Sequence, residues 1–81
     1  MQAGTVVRIL SGRDSGKLMM VTSGDENSVF VADGKRRKLA KPKRKNIKHI
    51  AATDIIIEEA LVTGNKKLIR LLKNIGDKAT N

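Results

Sequence analysis

The sequence has no cysteine, tryptophan or tyrosine, and only one phenylalanine, one proline and one histidine. Without cysteine, the chain can form no disulfide, zinc ribbon or reactive thiol. The single histidine, His49, alternates with Ile47 along a predicted strand, where a packing role is more common than general base catalysis. Because nucleophile elbows, P-loops and metal-ligand clusters are also missing, we expect no enzymatic activity, no cofactor and no metal.

Long apolar runs are missing as well. No apolar run approaches the roughly 20 residues that a membrane-spanning helix needs. The opening sequence MQAGTVVRIL does not have the basic region and apolar core of a signal peptide. Aromatic anchors for a membrane interface are lacking too. We therefore expect a soluble, cytoplasmic protein without a membrane partner.

Acidic residues are few. The chain of 81 residues has 17 Lys and Arg but 8 Asp and Glu, which gives a net charge of +9. Positions 35–48, with the sequence KRRKLAKPKRKNIK, contain nine of the basic residues and no acidic one. Such a run can be a flexible, solvated tail. Because Leu39 and Pro42 interrupt it between strand-like segments, we predict an ordered surface, and its charge makes nucleic acid the first candidate partner.

Alternating apolar residues predict five short β-strands in the first part of the chain. The predicted strands cover residues 5–10, 17–22, 27–32, 35–39 and 45–51. Gly12 and Gly16 allow the first loop to reverse direction, since glycine tolerates a positive φ. Five short strands joined by tight turns favour a small, strongly curved antiparallel barrel over residues 1–52.

The basic run is predicted to enter this sheet through a hairpin. Asp33-Gly34 is a favoured sequence for a two-residue type I′ turn, which would pair residues 35–39 with residues 29–31. Pro42 cannot donate a hydrogen bond to a strand ladder, so it should end the fourth strand or lie on a sheet edge.

Residues 53–76 are predicted to form a C-terminal appendage with a helix over residues 65–75. The apolar stripe of this helix consists of Leu68, Leu71, Leu72 and Ile75. Asn65 can cap the helix, Gly76 should end it, and residues 77–81 should form a flexible tail. A helix of this length is marginal alone, so its stripe should dock either on the barrel or on a partner.

Residues 53–64 fit two different structures. Thr53-Asp54 can cap a helix that begins in the following residues. The three isoleucines at positions 55–57 favour a sixth strand equally well.

Residues 4–31 resemble the KOW motif of ribosomal and transcription-factor RNA-binding proteins. The matching residues are Gly4, Val7, Ile9, Gly12-Arg13-Asp14-Ser15-Gly16-Lys17, Val21, Val29 and Val31. The continuation VADGKRRKLAKPKRKNIKHI is similar to small bacterial KOW-domain proteins related to large-subunit ribosomal proteins of archaea and eukaryotes. This resemblance implies an SH3-like five-stranded barrel that binds RNA, usually ribosomal RNA. Many KOW motifs carry a second glycine shortly after the Gly-Lys pair, where this chain has Met19.

The scarcity of aromatic residues indicates how RNA would be contacted. Proteins that read single strands stack bases on aromatic side chains, and the one aromatic residue here, Phe30, is expected to be buried. Recognition should therefore use the phosphates and 2′-hydroxyls of structured RNA. The predicted RNA-contacting residues are Arg13, Lys17, Lys35, Arg36, Arg37, Lys38, Lys41, Lys43, Arg44, Lys45 and Lys48. The arginines are the stronger predictions, because a guanidinium can bind a phosphate through two hydrogen bonds.

Two other functions fit the sequence. A protein-interaction module of the transcription or translation machinery would use the barrel and dock the helix stripe in a partner's groove. Nonspecific DNA binding would also suit the positive charge. We expect a monomer when free, with ribosomal RNA as the main partner and ribosomal or transcription proteins as further partners.

Overall fold

The computed structural model describes residues 1–79, the last of them by its backbone alone. Over these residues the strands are β1 (Thr5–Ile9), β2 (Leu18–Gly24), β3 (Ser28–Ala32), β4 (Lys43–Asn46) and β5 (Ile50–Ile56). A 3₁₀ turn, Ile47–His49, joins β4 to β5, a second spans Glu59–Leu61, and helix α1 covers Asn65–Ala79. All strand pairs are antiparallel, in the order β4-β3-β2-β1-β5. The predicted fold class is confirmed: mainly β, with five antiparallel strands and a C-terminal helix.

The sheet is strongly curved but open. In a flat sheet, β4 and β5 would lie roughly 19 Å apart, because four spacings of about 4.8 Å separate them. The 3₁₀ turn between them advances only about 6 Å over its three residues. This turn is hydrogen-bonded at both of its ends. Ile47 N–H donates to the carbonyl of Asn27, which precedes β3 (3.1 Å), and the His49 carbonyl accepts from the N–H of Leu10, which follows β1 (2.8 Å). The sheet therefore curls until its edge strands approach each other, which gives a small barrel-like form.

One face of the sheet encloses an apolar core. Its residues are Val7, Ile9, Met19, Val21, Val29, Val31 and Ile50. Every second residue of a strand points to the same face, and the register places Val7 opposite Met19 and Val21 opposite Val31. Met19 is therefore a core residue, 1% exposed.

Helix α1 covers part of the opposite face. The second core cluster comprises Val6, Met20, Ala32, Ile57, Leu68 and Leu72. Leu68 is fully buried, and Leu71 and Ile75 pack partly buried against the same cluster. Burying each leucine stabilises the fold by about 1.5–3 kcal/mol. The apolar stripe thus docks on the sheet of its own chain, which decides between the two alternatives that the sequence left open. None of the helices in the described part of the chain has the length and apolar character needed to cross a membrane.

The fourth strand lies later in the chain than predicted. Residues 35–39 form no strand, and β4 pairs with β3 instead, with Lys45 opposite Val29. Pro42 stands directly before β4, where the missing N–H interrupts no ladder.

The predicted type I′ turn at Asp33-Gly34 is also wrong. The Asp33 side chain competes with strand pairing: its Oδ1 accepts hydrogen bonds from the N–H groups of Lys35 (3.0 Å) and Arg37 (2.8 Å). The N–H groups of Asp33 and Gly34 both donate to the Arg37 carbonyl (2.9 and 3.0 Å). These four bonds fold residues 33–37 into a loop.

Three predicted boundaries are corrected. The predicted strand 45–51 is divided among β4, the 3₁₀ turn and β5. β5 continues to Ile56, past the predicted barrel boundary at residue 52. Residues 53–64, whose sequence fits either strand or helix, therefore begin as strand. α1 runs through Gly76 to Ala79 instead of ending at residue 75, because its last turn packs near Leu18 and this packing outweighs the low helix propensity of glycine. The helix thereby includes part of the predicted flexible tail; residues 80 and 81 lie outside the described residues.

Candidate nucleic-acid interface

The glycine loop, residues 10–17, turns one carboxylate inward and presents cations to solvent. Gly12 and Gly16 have φ angles of 89° and 88°, in the left-handed region that glycine tolerates. The loop closes tightly, with Gly16 N–H donating to the Ile9 carbonyl at 2.7 Å. Asp14 is 1% exposed. The exposed cations of the loop are Arg13 and Lys17.

The Asp14 carboxylate lies at the centre of three cations. Arg37 Nε donates to Asp14 Oδ2 at 3.1 Å. Lys17 Nζ and Arg36 Nε each lie 3.7 Å from Asp14 Oδ1. Burial by itself would raise the pKa of Asp14, but the hydrogen bond from Arg37 and the charges of the three cations outweigh it and lower that pKa below its ordinary value. The carboxylate is therefore ionised at neutral pH and holds cations from two distant loops together. Sequence patterning missed this residue, because a single Asp in a loop carries no signal of its partners.

The basic loop, residues 33–42, is held in place by contacts with α1 and by hydrogen bonds to the Asp33 side chain. Leu39 N–H donates to Asn65 Oδ1 at 2.8 Å, and the Leu39 side chain packs against the core cluster beneath the helix. Gly34, with a φ of 83°, lies so close to the Asn65 carbonyl that a Cβ would collide with it. Asn65 is thus the first residue of α1 and bonds the basic loop, rather than acting as the predicted helix cap. The basic loop is an ordered structure.

Two cations of β4 have internal partners. Lys45 Nζ donates to the Ser11 carbonyl at 3.1 Å and so links β4 to the glycine loop. Arg44 Nε donates to Ser28 Oγ at 3.1 Å. The N–H of Ser28 in turn donates to Asp25 Oδ1 (2.9 Å); backbone hydrogen bonds from residues 27 and 28 lower the pKa of the Asp25 carboxyl. Arg44 is therefore held in place while it remains exposed.

Most of the predicted RNA-contacting residues lie on the surface. Arg37 and Lys45 are half-buried and bonded within the chain. The exposed ones are Arg13, Lys17, Lys35, Arg36, Lys38, Lys41, Lys43, Arg44 and Lys48. We call these nine residues the cationic surface.

A groove of about 600 Å³ lies between the glycine loop, the basic loop and α1. It brings Lys17, Lys35 and Arg36 together with two cations that were not predicted, Arg8 and Lys73. Both had a weak signal in the sequence: Arg8 alternates outward from the apolar residues of β1, and Lys73 lies off the apolar stripe of α1. Their proximity to the basic loop depends on the docking of the helix.

Phe30 was expected to be buried, and this is corrected. It is 37% exposed and lies opposite Arg44 in the pairing of β3 with β4. Val29 and Val31 occupy the core side of β3, so alternation places Phe30 on the other face, near the open edge.

Comparison of the chain with models of protein families and with curated proteins finds no match.

Proposed function

We propose that this protein binds the phosphate backbone of structured RNA through the cationic surface. The observation that carries the proposal is the order of the basic loop. Its backbone is bonded to Asp33, Arg37 and Asn65, so the cations of the loop are displayed on a fixed scaffold. A fixed array of like charges gains most when a polyanion neutralises it. The resemblance of residues 4–50 to KOW-domain proteins supports the same proposal.

Contacts to the backbone are favoured over base reading. Phe30 is the one aromatic residue in the chain, and single-strand readers generally use several such side chains as stacking platforms. Arginines such as Arg36 and Arg44 suit bidentate contacts to phosphate. We further propose a cytoplasmic, ribosome-associated role and a monomeric free protein.

The salt dependence of binding tests the backbone contacts. With about five phosphates contacted and a slope near −0.7 to −0.9 per contact, raising salt from about 50 to 200 mM should weaken binding roughly 100- to 500-fold. Fluorescence anisotropy with a labelled RNA hairpin of mixed sequence would measure this. A DNA duplex of the same sequence serves as the competitor, and equal affinity for both would refute the choice of RNA over DNA.

A pair of double variants tests the location of the site. Lys43→Ala/Lys48→Ala removes two exposed cations of the surface and should weaken RNA binding by about tenfold or more, with a shallower salt slope. Arg70→Ala/Lys78→Ala removes the same charge from exposed positions of α1 and should change affinity little. If both double variants weaken binding equally, the attraction depends on net charge alone and the assigned surface is wrong.

A further inference from the structure

The groove between the glycine loop, the basic loop and α1 has cations on every side. Arg8 lies on β1 beside the glycine loop, Lys17 in that loop, Lys35 and Arg36 on the basic loop, and Lys73 on the helix. Among the described residues that line it, Asp33 is the one acidic side chain, and its Oδ1 already accepts two backbone hydrogen bonds. The local charge balance is therefore strongly positive, and an anionic ligand would be attracted from several directions.

Three of these cations already have partners within the chain before any ligand arrives. Arg8 Nη1 donates to the Gly16 carbonyl at 2.8 Å. Lys17 and Arg36 both lie 3.7 Å from the buried Asp14 carboxylate. A side chain whose motion is already restricted by a partner loses less conformational entropy when it contacts a ligand. The carboxylates of Asp14 and Asp33 do not neutralise the five cations that line the groove, so the groove stays cationic.

The floor of the groove is apolar. Leu18, Ile69 and Leu72 line it, and Gly76 leaves space where another helical residue would project a side chain. An isolated phosphate ion gains nothing from an apolar surface, whereas the sugars and bases of a nucleic acid strand can pack on one.

We infer that the groove binds one strand of the RNA, with phosphates between the basic loop and Lys73 and with sugars or bases over the more exposed Leu18 and Ile69. This inference rests on the proposed function and extends it to the helix, since Arg8 and Lys73 become contact residues. An acidic peptide of a partner protein would also suit the charge. The groove shares Lys17, Lys35 and Arg36 with the cationic surface, and this continuity favours the same ligand for both.

Two substitutions in α1 test the groove by different means. Lys73→Ala removes one cation and should weaken binding of the RNA hairpin about three- to tenfold, lowering the magnitude of the salt slope by about one. Gly76→Leu leaves the charge unchanged and fills the space above Leu18. It should therefore weaken RNA binding by steric exclusion, while the long-range electrostatic attraction between protein and RNA stays the same. Arg70→Ala is the matched control, because Arg70 is an exposed cation of the same helix that does not line the groove.

The outcomes separate this inference from the proposed function. If Lys73→Ala and Gly76→Leu bind like the wild type while Lys43→Ala/Lys48→Ala binds weakly, the groove inference is wrong and the proposed function stands. If none of these variants weakens binding, the proposed function fails as well. If a glutamate-rich peptide displaces the RNA hairpin and binds more tightly than it at equal salt, the groove is a protein site and the inference is overturned. Circular dichroism and thermal unfolding would verify that each variant is folded.

Discussion

Replacing Asp14 by Asn should destabilise the protein although the two side chains have the same shape. Asp14 is 1% exposed and accepts the hydrogen bond from Arg37 Nε at 3.1 Å. Asn can keep an oxygen in the same place, so the change removes charge rather than volume. What is lost is the counter-charge for Arg37 and for two cations at 3.7 Å, Lys17 and Arg36.

The magnitude follows from the contacts. Arg37 keeps its charge in the variant, so its hydrogen bond to Asn stays charge-assisted from the donor side only, and losing the carboxylate charge costs about 1–1.5 kcal/mol at Arg37. Lys17 and Arg36 are 50% and 40% exposed, and such pairs add at most about 1 kcal/mol together. We therefore expect the free energy of unfolding to fall by about 2 kcal/mol at neutral pH. For a domain of this size, that lowers the Tm by about 8–16 °C.

The lowered pKa of Asp14 determines how its stabilising effect depends on pH. The folded state lowers the pKa of Asp14, so ionised Asp14 contributes stability above the ordinary pKa of an aspartate, and this contribution is lost as the pH falls toward the lowered value. Thermal unfolding by circular dichroism from pH 7 to pH 2 should show a full difference between wild type and Asp14→Asn at pH 5–7. The difference should shrink below about pH 4, because protonated Asp14 is as neutral as Asn.

Asp54→Asn is the matched control, since Asp54 is an exposed carboxyl of β5 and the same charge is removed. Its effect should stay within about 0.5 kcal/mol. Equal Tm values for Asp14→Asn and Asp54→Asn at pH 7 would refute the stabilising role of the cation cluster. A difference that persists unchanged at pH 2 would refute the electrostatic explanation and point to a packing effect.

Two further substitutions test how the helix and the basic loop are held. Leu68→Ala should lower the free energy of unfolding by about 2–5 kcal/mol, because Leu68 is fully buried between α1 and the sheet. Leu61 is 47% exposed, so Leu61→Ala should lower it far less in urea titrations. Similar losses for the two variants would mean that α1 is not part of the core. Gly34→Ala should lower the free energy of unfolding by at least about 1–2 kcal/mol, since Gly34 has a positive φ and a Cβ would collide with the Asn65 carbonyl. A Cβ at Gly64 would meet no atom within 4 Å, so Gly64→Ala should be nearly neutral in the same unfolding assay. Equal values for the two variants would contradict the close approach of the basic loop and α1.

The local patterns in the sequence identified those elements whose side chains alternate strongly. β1, β2 and β3 each have core residues at alternate positions, such as Val7 and Ile9 of β1, so their existence could be predicted from spacing alone. The start of α1 and its apolar stripe were predicted for the same reason. Its end was not, because glycine at position 76 predicts a stop that packing against the sheet overrides.

β4 shows the limit of this approach. Its sequence, KRKN, has no apolar residue, and it is a strand because its backbone pairs with the open edge of β3. The pairing partner, not the side chains, decides such an edge strand. The prediction of a turn at Asp33-Gly34 was wrong for a related reason. The Asp33 side chain accepts hydrogen bonds from the N–H groups of Lys35 and Arg37, which a hairpin would have placed elsewhere.

Composition and periodicity were enough to assign the class of the protein, a small, basic, cysteine-free β domain with one amphipathic helix, because both depend on local chemistry alone. The positions of the charges relative to one another are set by the folded structure. It buries Asp14 against Arg36 and Arg37 from a loop more than twenty residues away, and it docks α1 so that Lys73 faces the basic loop across a groove. Contacts between residues distant in the chain arise from packing of the sheet and the helix, and no local pattern of residues encodes them.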